Sequence, residues 1–202
     1  MKKILWSLFL ICALALPVAA HAVPDLDRQG SISITMRYDG SPVSGGEFTI
    51  YRVGDIREAG GNFDFVLTKE FSAAEVSLDS VSSAQTAEKL SEFAKKQKLS
   101  GEKRKISTLG TLYFDNLQPG LYLLVQNKAA EGYYAVNPFL VSLPMLEKES
   151  YSYHIDASPK VSPLPIAPPD NPEQPKTGQS VWPIWTFAVS GAALIMLLRR
   201  KK

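Results

Sequence analysis

The chain has 202 residues, 45% of them hydrophobic, with 22 Lys and Arg against 20 Asp and Glu, a formal charge of +2. That length allows one core-forming domain with flanking segments, and the near balance of charge excludes the basic footprint of a nucleic-acid binder. One cysteine and two histidines exclude a disulfide framework and any cluster of thiolate or imidazole metal ligands.

Taken in chain order, residues 1–22 read as an export leader. "MKK" supplies a cationic start, "ILWSLFLICALALPVAA" an apolar run, and Ala20-His21-Ala22 a small-residue cleavage site, so cutting is expected between Ala22 and Val23. Cys12 leaves with the leader, and Ile11 precedes it where a lipidation box requires a small residue. The exported part then has no thiol, hence no disulfide. It is also net acidic, because Lys2 and Lys3 are lost and four cations, Arg199 to Lys202, close the chain.

Residues 25–158 are expected to form one domain, and their pattern is mostly period two. "SISITMRY" places Ile32, Ile34 and Met36 on one face, "GEFTIYRV" does the same for Phe48 and Ile50, and "NFDFVL" for Phe63 and Phe65. "SSAQTAEKLSEFAKKQKLSG" breaks the alternation with Ala87, Leu90 and Ala94 at helical spacing. It predicts a helix over Ser83 to Lys98, capped through Ser82 and Gln85 and stopped by Gly101. "GEKRK", Gly101 to Lys105, reads as a solvated loop. "GLYLLVQ" is apolar almost throughout, the mark of a strand buried on both faces. "FLVSLP" and "YSYHIDA" are further strands, and "DGSPVSGG", "AGGN", "LQPG" and "EGYY" are turns. The sum is a mainly β chain, an antiparallel sandwich of about seven strands with one helical insertion.

From Ser158 the composition changes. "SPKVSPLPIAPPDNPEQP" excludes helix and favours an extended polyproline spacer over 159–173, reaching roughly 55 Å if counted from Ser158 to Pro175 at about 3.1 Å per residue. Val181 to Leu198 is an uncharged run of 18 residues, roughly 27 Å as a helix and long enough to cross a bilayer core. Trp182 and Trp185 suit its outer interface, and the basic tail 199–202 its cytoplasmic side. Residues 23–180 are thereby oriented outside the cell.

Pentapeptide Gln174-Pro175-Lys176-Thr177-Gly178, apolar span and basic tail together resemble the wall-sorting signal of Gram-positive sortase substrates, with Gln174 where Leu is usual. The resemblance implies that a sortase thiolate attacks the Thr177 carbonyl carbon, expels Gly178, and leaves a thioester for an amine to resolve. Pro175 stiffens the substrate by fixing φ.

Further up the chain, "GSISITMRYDGSPVSGGEFTIYRV", "LQPGLYLLVQNKAAEGYYAVNPFLVSLP" and "YSYHIDASPK" resemble, in order, the Cna-B (SpaA-type, prealbumin-like) domains of Gram-positive pilins and wall proteins. That implies an Ig-like or prealbumin-like sandwich. It also directs attention to two family features. The internal Lys–Asn or Lys–Asp crosslink requires a Glu where this chain has Gln126, and a Lys on the first strand where "ITMRYDG" offers Met36 and Arg37. An amide cannot titrate as a proton shuttle, so no internal crosslink is expected. The pilin motif, whose Lys is the amine that resolves another subunit's thioester, is matched by "YSYHIDASPK", which makes Lys160 the candidate intermolecular isopeptide lysine; the ordinary reading is a solvated linker charge.

No enzyme is indicated. His154 is the only histidine after leader removal, G-x-G-x-x-G and P-loop motifs are absent, and carboxylates such as Glu58 and Asp64 are scattered. The resemblance therefore implies a wall-anchored structural protein at the cell surface, a minor or basal pilus subunit, with a monomeric wall-anchored adhesin as the alternative. Its expected partners are a sortase, peptidoglycan or its lipid precursor, and other pilin subunits. No cofactor, metal or nucleic acid is expected, the membrane is a partner only before sorting, and no host ligand is readable.

Overall fold

The computed structural model describes residues 23–79 and 81–165. The leader, the sorting pentapeptide, the expected span 181–198 and the basic tail lie outside the described residues. Among the described residues, no helix is long and apolar enough to cross a membrane.

The strands are β1 (Gly30–Thr35), β2 (Arg37–Tyr38), β3 (Ser41–Pro42), β4 (Glu47–Ala59), β5 (Asn62–Leu67), β6 (Glu102–Lys105), β7 (Thr111–Leu117), β8 (Gly120–Lys128), β9 (Phe139–Leu143), β10 (Met145–Glu147), β11 (Ser150–Ser152) and β12 (His154–Asp156). One helix, α1 (Ala84–Lys96), and a short 3-10 turn (Ser72–Ala74) complete the set. One sheet runs β12-β1-β7 and the other β5-β4-β8-β9, with β6 added to β4 beyond β5. Two hairpins, β2-β3 and β10-β11, extend from them. This is a mainly β sandwich with one helical insertion, as the alternation predicts.

Strand β8 organises both cores. Tyr122 and Leu124 point between the sheets, where Ile32, Ile34, Met36, Phe48, Phe114 and Leu143 meet them. Leu121, Leu123 and Val125 point the other way, against Val53, Phe71 and the Ala87, Leu90 and Ala94 stripe of α1. The continuous apolar run of "GLYLLVQ" is thus the signature of a strand covered by a sheet on one side and a helix on the other.

Several local expectations are corrected. Helix α1 begins one residue later than Ser83 and ends at Lys96. Its cap is Ser83, whose Oγ accepts the Thr86 backbone N–H at 3.3 Å, rather than a Ser82–Gln85 box. Lys98, at φ 53°, turns the chain out of the helix before Gly101 is reached. Gly101 has another use: a Cβ there would lie 2.5 Å from the Thr49 side chain and 2.6 Å from the Ile50 carbonyl, so only glycine lets the next residues pair with β4. Those residues are "EKRK". They form β6 rather than a loop, in register Glu47↔Lys105 to Ile50↔Glu102, with every side chain exposed. Lacking apolar alternation, β6 exists because β4 offers it an unpaired backbone, and its charges protect the edge it creates.

"YSYHIDA" is also not one strand. Its first part turns back on β10, and His154–Asp156 pairs with β1 in parallel, Ser31↔His154 to Ser33↔Asp156. A consequence is that the chain arrives and departs at opposite poles of the sandwich. At the arriving pole, the Tyr153 hydroxyl accepts from the Asp25 N–H at 2.6 Å and donates to the Asp25 carbonyl at 3.0 Å, with Arg28 stacked 4.4 Å over the ring.

Packing around β8 yields two stability expectations. Leu123 is fully buried, so Leu123→Ala is expected to cost about 2–5 kcal/mol in denaturant unfolding. The Ser91 hydroxyl on α1 is buried without a hydrogen-bond partner, so Ser91→Ala should leave the unfolding midpoint unchanged or raise it. Alkaline pH gives a third. Burial pushes Tyr122 from 10.0 up to about 12, with the Arg52 charge opposing and Asp55 reinforcing. Since the folded value exceeds the unfolded one, the stabilisation is complete below pH 10 and is lost as pH rises through about 12. Unfolding midpoints measured across that range should fall less steeply in Tyr122→Phe.

Candidate functional site

The departing pole holds the one candidate reactive side chain within the described residues. After β12, Ala157 donates its N–H to the Ser33 carbonyl at 2.9 Å, which carries the chain one residue beyond the end of β12. Ser158 then makes a double tie. Its Oγ accepts the Thr35 N–H at 2.7 Å and donates to Asp156 Oδ1, while its own N–H reaches the same carboxylate oxygen at 3.1 Å. Four residues later the chain is held again: Tyr134 N–H donates to the Ser162 carbonyl at 2.9 Å, and Leu164 N–H to the Gly132 carbonyl at 2.8 Å. Tyr133 and Pro163 form the bridge between them. The polyproline spacer expected from Pro159 therefore stays on the domain as far as Leu164.

Between the two ties, burial alternates. Ala157 and Val161 pack against the inter-sheet core, and Ser158, Lys160 and Ser162 face solvent. Lys160 is thus directed outward by an extended backbone whose neighbouring side chain, Val161, is anchored inward. Beside it lies a groove of about 720 Å³, lined by Phe139, Val141, Ala157, Pro159 and Lys160 with Val81 ahead of α1. The groove lies between β9 and β12, each the last strand of its sheet.

The position that the family resemblance assigns to the crosslink-assisting Glu is Gln126, on β8 opposite Phe48. Gln126 Oε1 accepts the Val136 N–H at 2.6 Å, and Nε2 is buried without a partner. Of the two residues offered where the resemblance expects a Lys, Met36 is fully buried in the inter-sheet core and Arg37, on β2, is exposed and carries a guanidinium. A thioether supplies no amine nucleophile and an amide no proton shuttle. The protein measured by intact-mass spectrometry should therefore show no loss of ammonia or water from residues 23–165. A deficit of either mass would overturn this.

His154 is exposed, and its Nδ1 lies 2.9 Å from Ser31 Oγ. That pair stands on an open sheet face and does not line the groove. Glu58 and Asp64 sit on the β4-β5 hairpin, Asp64 within 3.9 Å of Arg57, apart from Lys160 in the sequence of elements. No group of His, Cys, Asp and Glu suited to a metal ion occurs among the described residues.

The described domain resembles the domains of Gram-positive pilins. The full-length major pilin SpaD of Corynebacterium diphtheriae is 26% identical over 71% of this chain and 32% of its own, with a TM-score of 0.45. The major pilin SpaA of the same organism is 25% identical over 68% and 31%, with a TM-score of 0.40. The T6 backbone pilin of serotype M6 Streptococcus pyogenes is 18% identical over 68% and 29%, with a TM-score of 0.44. The chain spans about a third of the length of these pilins. No family model matches the chain, and neither does any curated protein.

Proposed function

We propose that this chain is a minor or basal pilus subunit, exported, held briefly in the membrane, and then joined covalently to the Gram-positive cell wall through Thr177. The observation that carries the reading is the three-part terminus: Gln174 to Gly178, then the uncharged run 181–198, then Arg199 to Lys202. A membrane anchor alone requires only the last two parts. The pentapeptide ahead of them supplies a bond that a thiolate can attack and a proline that stiffens the segment for capture.

In this reading the chemistry belongs to the sortase, and the present chain is a substrate twice over. Its Thr177 carbonyl is transferred to an amine of peptidoglycan or its lipid precursor. Its Lys160 receives the threonine carbonyl of another subunit. The exposed position of Lys160 at the departing pole supports the second role, since an amine acting in trans must leave the domain surface. A subunit with both features ends a fibre at the wall.

Immunoblots of wall extracts test both transfers. Thr177→Ala should leave the chain in the membrane fraction with its apolar terminus attached. Lys160→Ala should keep wall attachment and collapse a high-mass ladder to one band. A single band in the parent strain would favour the monomeric adhesin, and a wall-bound chain retaining residues 181–202 would end the proposal.

A further inference from the structure

We infer that Ser158 and the Ser162–Leu164 clasp are positioning elements that present Lys160 in an attack-ready arrangement; this deepens the proposed role of Lys160 and rests on it. The sequence alone makes Lys160 a solvated charge, or by resemblance a candidate isopeptide amine, at the start of an extended polyproline spacer. The hydrogen bonds make it the middle of a short bow fixed at both ends. On the upstream side, Ser158 joins the backbone of β1 at Thr35 to the carboxylate of Asp156 on β12. On the downstream side, the Tyr134–Ser162 and Leu164–Gly132 bonds fasten the chain to the loop after β8. Pro159 and Pro163 remove φ freedom at two positions of the same stretch. Val161, packed against the core, fixes which way its neighbour points.

The covalent step shows why this arrangement matters. Neutral Lys160 Nζ attacks the carbonyl carbon of an acyl-thioester formed between a sortase cysteine and the threonine of an incoming sorting signal. The N–C bond forms, the C–S bond breaks, sulfur leaves as thiolate, and the proton lost from nitrogen passes to that thiolate. Water competes for the same carbonyl. An amine whose backbone is already ordered loses less conformational freedom on entering the enzyme's site, so ordering raises amide formation relative to hydrolysis. Neither tie contributes to the two cores, which separates presentation of the lysine from folding of the sandwich.

The test uses the full chain in detergent, a pilus-type sortase, and a fluorescent peptide containing Gln174–Gly178 as acyl donor. Ser158→Ala removes the upstream tie, and Ser158→Thr keeps a hydroxyl in its place. Leu164→Pro removes the N–H that donates to Gly132 while altering an exposed side chain. The expected result is that Ser158→Ala and Leu164→Pro each lower the ratio of Lys160 amide to hydrolysed peptide by about tenfold, with unchanged thermal melting. Ser158→Thr should restore the ratio, and total thioester turnover should stay constant. If Lys160→Ala abolishes transfer while Ser158→Ala and Leu164→Pro partition as the parent does, the positioning role is wrong and the lysine reading stands. If Lys160→Ala is acylated as well as the parent, the lysine reading itself falls.

Discussion

The burial of β8 on both faces is the constraint on which the rest of this domain depends. Tyr122 and Leu124 close the space between the sheets, and Leu121, Leu123 and Val125 seat the helix. An antiparallel strand with one wet face can tolerate a polar residue at alternate positions; β8 cannot from Leu121 through Val125. Its backbone is equally committed, paired to β4 along one edge and β9 along the other. With β8 in place, β4 has an edge left for β5 and β6, and β9 becomes the rim of the groove beside Lys160.

Features governed by side-chain burial were legible in the sequence. Ile32, Ile34 and Met36 share a face because period two puts them there, and all three are fully buried. Ala87, Leu90 and Ala94 form the buried stripe that helical spacing implies. Features governed by backbone geometry were not. Nothing in "EKRK" is apolar, so its pairing with β4 leaves no trace in hydropathy. The break inside "YSYHIDA" comes between Ser152 and His154, where Tyr153 turns inward and holds the arriving segment by hydrogen bonds through its hydroxyl. Ser83 rather than Ser82 accepts the Thr86 N–H, a one-residue choice that two adjacent serines of equal capping propensity leave open.

The same division runs through the candidate site. That Lys160 is exposed just beyond the last strand follows from its neighbours in the chain. That it is tied at both sides does not, because the ties are made by a serine hydroxyl and by backbone groups of a proline-rich run that usually lacks partners. Seven prolines between Ser158 and Pro175 suggest an extended chain free in solvent; extension is also the conformation that lets such a chain lie against a loop as one more strand.

The parallel pairing of β12 with β1 sets the last described residues at the pole opposite the arriving chain, and both proposed attachment points follow β12. Tension on a fibre joined at Lys160 and fixed to the wall at Thr177 would run along residues 160–177 alone. The sheets would hang beside the line of force rather than within it, and a pull would open the Tyr134–Ser162 and Leu164–Gly132 bonds before it reached either core. A domain mounted this way has little use for a covalent staple between its strands. Where the resemblance implies a Lys and a Glu for one, the chain has Met36 and Arg37, and Gln126.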